Sequence, residues 1–107
     1  MTTFDQRKDG FENKFAHDED LRFRAYARRN RLLGLWAAEK LGIIGPAADD
    51  YAASVVKADL KEAGDNDVFQ KIRGDFDAKS VDQSDHQIRR TMEELLAKAV
   101  ADIQAGQ

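Results

Sequence analysis

The residues best equipped for recognition chemistry are five arginines within ten positions: Arg22, Arg24, Arg28, Arg29 and Arg31. A guanidinium presents a rigid fork of donors that grips a carboxylate or a phosphate through paired hydrogen bonds. Three readings compete for the cluster: pairing with acids of the same fold, a protein-binding surface, or a nucleotide or nucleic-acid site. The first is the simplest, because residues 43–107 carry a net charge of -5 against +2 for residues 15–42. An RNA reader is expected to set exposed aromatics beside its arginines, and only Phe23 and Tyr26 offer that here. Arg22, Arg28 and Arg29 are the candidates for a docking or phosphate contact.

Other reactive side chains are sparse. His17 and His86 are the only histidines, and neither stands at a spacing from a serine or a second histidine that makes a triad or a zinc site. His17 lies where the N-terminal segment meets the first long helix, a place where a charge change near neutral pH could matter. Asp18, Glu19 and Asp20 are adjacent, so on a helix they diverge and cannot converge on one cation. They suit the positive end of a helix dipole instead. Ser54 and Ser84 have no activating partner in sequence, and neither GxxxxGK[ST] nor GxGxxG occurs. No catalytic, cofactor-binding or metal-binding residue is expected, and no enzymatic activity.

The absence of cysteine excludes thiolate chemistry and a disulfide framework, which fits a cytoplasmic protein. The N-terminus MTTFDQRKDG has no apolar core of a secretory signal, and no run approaches the ~20 apolar residues of a membrane span. Direct membrane insertion is therefore not expected. A net charge of only -3 also argues against bulk attraction to nucleic acid.

These residues must be positioned by helices. Charged residues make up 35% of the 107, above the usual ~25%, and the single proline and most glycines fall between periodic segments. The organising stretch runs from Phe15 to Gly42, FAHDEDLRFRAYARRNRLLGLWAAEKLG. It opens on acids, with Asp18 to Arg22 and Asp20 to Arg24 at the i,i+4 spacing, and turns apolar from Leu32 onward. Trp36 is expected to be buried against the fourth helix, and Gly42 to stop the first. Gly45-Pro46 starts a second helix carrying Tyr51, Ala52, Val55, Val56, Leu60 and Ala63, with Gly64 ending it. Asp65 or Asp67 can cap a third, with Val68, Phe69, Ile72 and Phe76 on one face and a stop near Ser80. Ser84 and Gln87 form a capping-box pattern ahead of the stripe Ile88, Met92, Leu95, Leu96, Ala99 and Ile103. No strand pattern is present. The expectation is an all-α protein: a four-helix bundle over residues 16–107 with a mobile arm over residues 1–15.

Phe4, Phe11 and Phe15 fall on one side of that arm if it becomes helical, although Gly10 costs ~1 kcal/mol against alanine in a helix interior. Ordering about fourteen residues costs roughly 1–2 kcal/mol each, while burying three phenylalanines contributes only about 2–3 kcal/mol each. The free arm is therefore expected to stay disordered and to fold on a partner.

The central block, preceded by MTTFDQR and followed by VVKADLKEAGDNDVFQKIRGDFD and SDHQIRRTMEELLAKA, resembles the zeta subunit family of α-proteobacteria over essentially the whole chain. The segments ARRNRLLGLWAA and KADLKEAG are specific. The resemblance implies an inhibitor of the F-type ATP synthase whose N-terminal arm enters the interface between an alpha and a beta subunit, meets the gamma shaft and stops ATP hydrolysis. The arm matches Met1 to Phe15, and Met1, Phe4, Arg7, Lys8, Phe11, Lys14 and Phe15 are its expected contacts. The resemblance also implies a monomer when free and a place peripheral to the inner membrane, through the synthase. The chain departs from the family pattern at Asp9 and Gly10, where helix formers are usual, and at Tyr26, where an acid is usual. Without the resemblance, a nucleotide sensor built on Arg28 and Arg29 or a general helical adaptor remain open.

Overall fold

The structure, a computed structural model, describes residues 19–59 and 65–106. These form four helices and no strand: α1 Glu19–Leu41, α2 Pro46–Ala58, α3 Asn66–Ala78 and α4 Asp85–Gln104. The expected all-α bundle is what the chain adopts; the arm and the α1 start at Phe15 lie outside the described residues.

α1 is the hub, packing on each of the other three. Its 23 residues are rich in alanine, leucine and arginine, all good helix formers, and contain no proline. Gly42, at φ 77°, ends it in a Schellman turn: its N–H donates to the Glu39 carbonyl at 3.2 Å, and the Ile43 N–H donates to that of Ala38 at 2.8 Å. Gly34 sits inside the helix for a steric reason. A Cβ there would lie 2.5 Å from the Ala52 Cα, so glycine is what lets α2 come so close.

α2 opens with Pro46 after Gly45, as expected, and its C-cap is Asp59. The continuation through Leu60 and Ala63 expected from periodicity falls outside the described residues. α3 has Asp65 at its N-cap position, but the side chain makes no capping hydrogen bond. That expectation is corrected: the carboxylate is taken by Arg29, 2.8 Å away. α3 ends in a second Schellman turn, with the Ser80 N–H donating to the Asp77 carbonyl and the Val81 N–H to that of Phe76. Ser80 holds the left-handed position at φ 56°, a conformation usually given to glycine. α4 begins with the expected capping box, the Gln87 N–H donating to Ser84 Oγ at 3.1 Å and the Ser84 N–H to Gln87 Oε1 at 2.8 Å.

The two longer helices, α1 and α4, exceed α2 and α3 by a third or more, and the molecule is elongated at 45 × 25 × 25 Å. Two apolar clusters result. The larger joins Leu33 and Ala37 of α1, Val55 of α2, Val68, Phe69, Ile72 and Phe76 of α3, and Ile88 and Met92 of α4. Trp36 is half-buried against it, with its ring centroid 5.6 Å from that of Phe76 and the planes at 60°. Its aromatic partner thus lies on α3, an interaction the expected contact with the fourth helix did not include. The smaller cluster lies between α1 and α4 alone: Ala25 and Val100, flanked by Leu21, Leu96 and Ile103. Ala25, early in α1, meets Val100, late in α4, whereas Leu33 and Ala37 further along α1 share the larger cluster with Ile88 and Met92 early in α4, so the two helices run antiparallel.

Candidate functional site

The arginines of α1 divide by face. Those at 28 and 29 form, with Asn30, a polar layer between the two apolar clusters. Arg29 is only 1% exposed; its Nε donates to Asn30 Oδ1 at 2.7 Å and its Nη2 to Asp65 Oδ1 at 2.8 Å. The guanidinium also stands 5.2 Å from the centre of the Tyr26 ring. A buried guanidinium needs this many partners, because stripping its water is costly unless its donors are used. Asn30 Nδ2 is buried with no hydrogen-bond partner.

Arg28 binds Asp102 on α4 at 2.8 Å, and Lys98 approaches the other carboxylate oxygen at 3.5 Å. The Arg28 hydrogen bond, helped by Lys98, holds the Asp102 carboxyl below the usual carboxylate range although its partial burial pushes the other way. Arg31 reaches Asp49 of α2 more loosely, at 3.5 Å with both groups exposed. Arg22 and Arg24 are exposed, and neither makes an ion pair within the described residues. The i,i+4 pairing expected for Asp20 with Arg24 is therefore not made, while Asp18 lies outside the described residues.

Of the three arginines singled out for docking or phosphate contact, two are thus engaged inside the bundle and Arg22 faces solvent. The arm residues Met1, Phe4, Arg7, Lys8, Phe11, Lys14 and Phe15, and His17 with them, fall outside the described residues. His86 is exposed on the first turn of α4. Among the described residues no group of histidines and acids is arranged to hold a metal ion, and no helix is long and apolar enough to cross a membrane.

Sequence patterns did not single out Asp65 and Asp102 as the arginines' partners, nor Asn30 as a buried polar residue. A separation of 74 residues between Arg28 and Asp102 leaves no local trace. Other side-chain links between helices surround the larger cluster. The Tyr51 hydroxyl donates to Asp75 Oδ2 at 2.7 Å, and burial followed by that hydrogen bond pushes the phenol up from its ordinary pKa. Arg89 stacks 3.9 Å from the centre of the Phe69 ring. Arg73 clamps Asp85 and Asp77, each at 2.9 Å.

Fold and surface together define a small helical protein organised on one arginine-rich helix. The chain belongs to the ATPase inhibitor subunit zeta family, whose model matches residues 1–102. It is also similar to a protein solved by solution NMR, at 46% identity and a TM-score of 0.72 over 81% of this chain and 99% of that one. No curated protein matches it.

Proposed function

We propose that this protein inhibits the F-type ATP synthase by folding its N-terminal arm, residues 1–15, into an interface between alpha and beta subunits against the gamma shaft. The observation that carries the reading is the family match, which begins at residue 1 and so spans the arm as well as the bundle. The division of labour agrees with it. The larger core is built from four helices, and it takes its α1 residues from Leu33 onward, well removed in sequence from the proposed arm. A wedge held at one catalytic interface stops the opening and closing that hydrolysis requires, so the inhibitor needs no catalytic group of its own. Three phenylalanines on one side of the arm, Phe4, Phe11 and Phe15, supply groove contacts, and Arg7, Lys8 and Lys14 meet its polar rim.

Hydrolysis inhibition curves on one preparation of purified synthase test this. Deleting residues 1–14 is expected to abolish inhibition while the thermal midpoint stays close to that of the full chain. Phe11→Ala is expected to weaken inhibition, and Gly10→Ala to strengthen it several-fold by removing up to ~1 kcal/mol of helix-ordering cost. A truncated protein that inhibits as well as the full chain refutes the arm mechanism.

A further inference from the structure

α1 carries one face on which another helix is already docked. Gly34 and Ala38 are buried on it, with Gly34 against Ala52 of α2. Counting back along that face by sevens and fours gives Arg31, Ala27, Arg24, Phe23 and Asp20. Among the described residues α2 has 13 residues against 23 in α1 and ends at Ala58, so it does not reach the first turns of α1. The first turns of α1 therefore continue a helix-packing face that α2 leaves uncovered.

Phe23 stands in it at 60% exposure, one of two large apolar side chains so exposed among the described residues. The other, Ile44, lies in the connection between α1 and α2. An isolated exposed ring needs no explanation by itself, but this one has particular neighbours. Arg22 and Arg24 flank it, about 100° away on either side of the helix. Both are exposed and neither is used by the bundle, unlike Arg28 and Arg29. Between Leu21 and Ala38, α1 has no acid at all. Residues 1–15, the proposed arm, sum to zero charge, and of the acids next to these arginines Asp20 makes no ion pair with Arg24, while Asp18 lies outside the described residues.

We infer that the Phe23 surface of α1, flanked by Arg22 and Arg24, is a second docking site, which takes an apolar pocket rimmed by carboxylates on the enzyme that the arm engages. The inference rests on the proposed function for the identity of that enzyme. Phe23 lies eight residues past Phe15, the last residue of the proposed arm, so this surface would meet the rim of whatever groove receives the arm. An aromatic anchor between two arginines is the composition that carries energy in protein interfaces. Its charges speed and orient encounter, and that contribution weakens with salt.

Full-length wild type, Phe23→Ser and the double variant Arg22→Glu/Arg24→Glu are compared on the purified catalytic sector of the synthase. Binding by co-sedimentation and inhibition of ATP hydrolysis are read separately, at about 50 and about 300 mM salt. Each variant is expected to bind and half-inhibit at roughly ten-fold higher concentration at low salt, with the same maximal inhibition because the arm is intact. The salt dependence of the double variant should be shallower. Thermal melts control for folding, since these exposed positions leave the core untouched. Variants that bind within two-fold of wild type overturn the inference. If wild type binds without inhibiting and the variants bind more weakly, the docking surface stands and the arm mechanism falls; if wild type does not bind at all, both fall. Loss of a wild-type dimer, or of flotation with anionic vesicles, in the variants at unchanged affinity for the enzyme also overturns it, in favour of self-association or a lipid surface.

Discussion

The two ends of the bundle are built from the same long helix and held in different ways. Toward its C-terminus α1 buries Leu33 and Ala37 completely among α2, α3 and α4. Toward its N-terminus the apolar contacts among the described residues are with α4, Ala25 packing on Val100 and Leu21, Leu96 and Ile103 only partly covered. Between the ends lies the layer of Arg28, Arg29 and Asn30. Apolar burial scales with area removed from water, so the first end carries most of the stability. The second, nearest the proposed arm, has smaller apolar contacts among the described residues and the inter-helix ion pair of Arg28 with Asp102. Regions of low local stability are the ones that open without global unfolding.

The largest expected effect tests this contrast with the same substitution at two points of one helix. Leu33→Ala empties a site that is 0% exposed, and should cost about 3–5 kcal/mol, since every neighbour is fixed by another helix. Leu21→Ala, in the two-helix end, should cost about 1 kcal/mol or less, because its side chain is only partly removed from water. Urea melts give both values. Equal losses would mean that the bundle is one uniform core and that the division into ends is wrong.

A smaller loss is expected at Gly34. Alanine in mid-helix gains ~1 kcal/mol in propensity over glycine. Here the new Cβ meets the Ala52 backbone at 2.5 Å, which α2 can relieve only by moving away. Overpacking of that kind typically costs about 1–3 kcal/mol, so Gly34→Ala should come out destabilising by about 1 kcal/mol or somewhat more. Gly74 provides the control, because a Cβ there meets nothing within 4 Å, and Gly74→Ala should be stabilising. If the two signs agree in either direction, the close α1–α2 approach is not what holds the strong end.

Much of this architecture was legible locally. Periodicity gave all four helices, and the Ser84 and Gln87 pattern gave the start of α4 because a capping box is completed within four residues. The basic helix pairing with acids further along the chain was also readable in kind, from the opposite charges of the two segments. Which acids was not. Asp65 looks like a helix cap to any local rule, and it loses that role to a guanidinium 36 residues away. The exposure of Phe23 was equally hidden, because it depends on how far the described part of α2 reaches along α1. The arm residues could be singled out only by their phenylalanine spacing and by family resemblance, and they lie outside the described residues.

The smallest expected effect belongs to the ion pair that closes the weak end. Asp102 receives the Arg28 hydrogen bond, and its carboxyl is held below the ordinary range. A carboxyl whose folded pKa lies below its unfolded value, about 4, contributes stability that is present above that value and lost as pH falls through the folded one. Wild type should therefore melt above Asp102→Asn at pH 7, with the difference steady from about pH 5 to 8 and vanishing in strong acid. Hydrogen exchange then locates the effect. Amides of residues 21–28 and 96–103 should exchange faster in the variant, while those of residues 33–38 should not change, because the larger cluster does not depend on this pair. Acceleration spread equally over both ends would show that the polar layer couples them, and the weak end would no longer be a separate unit.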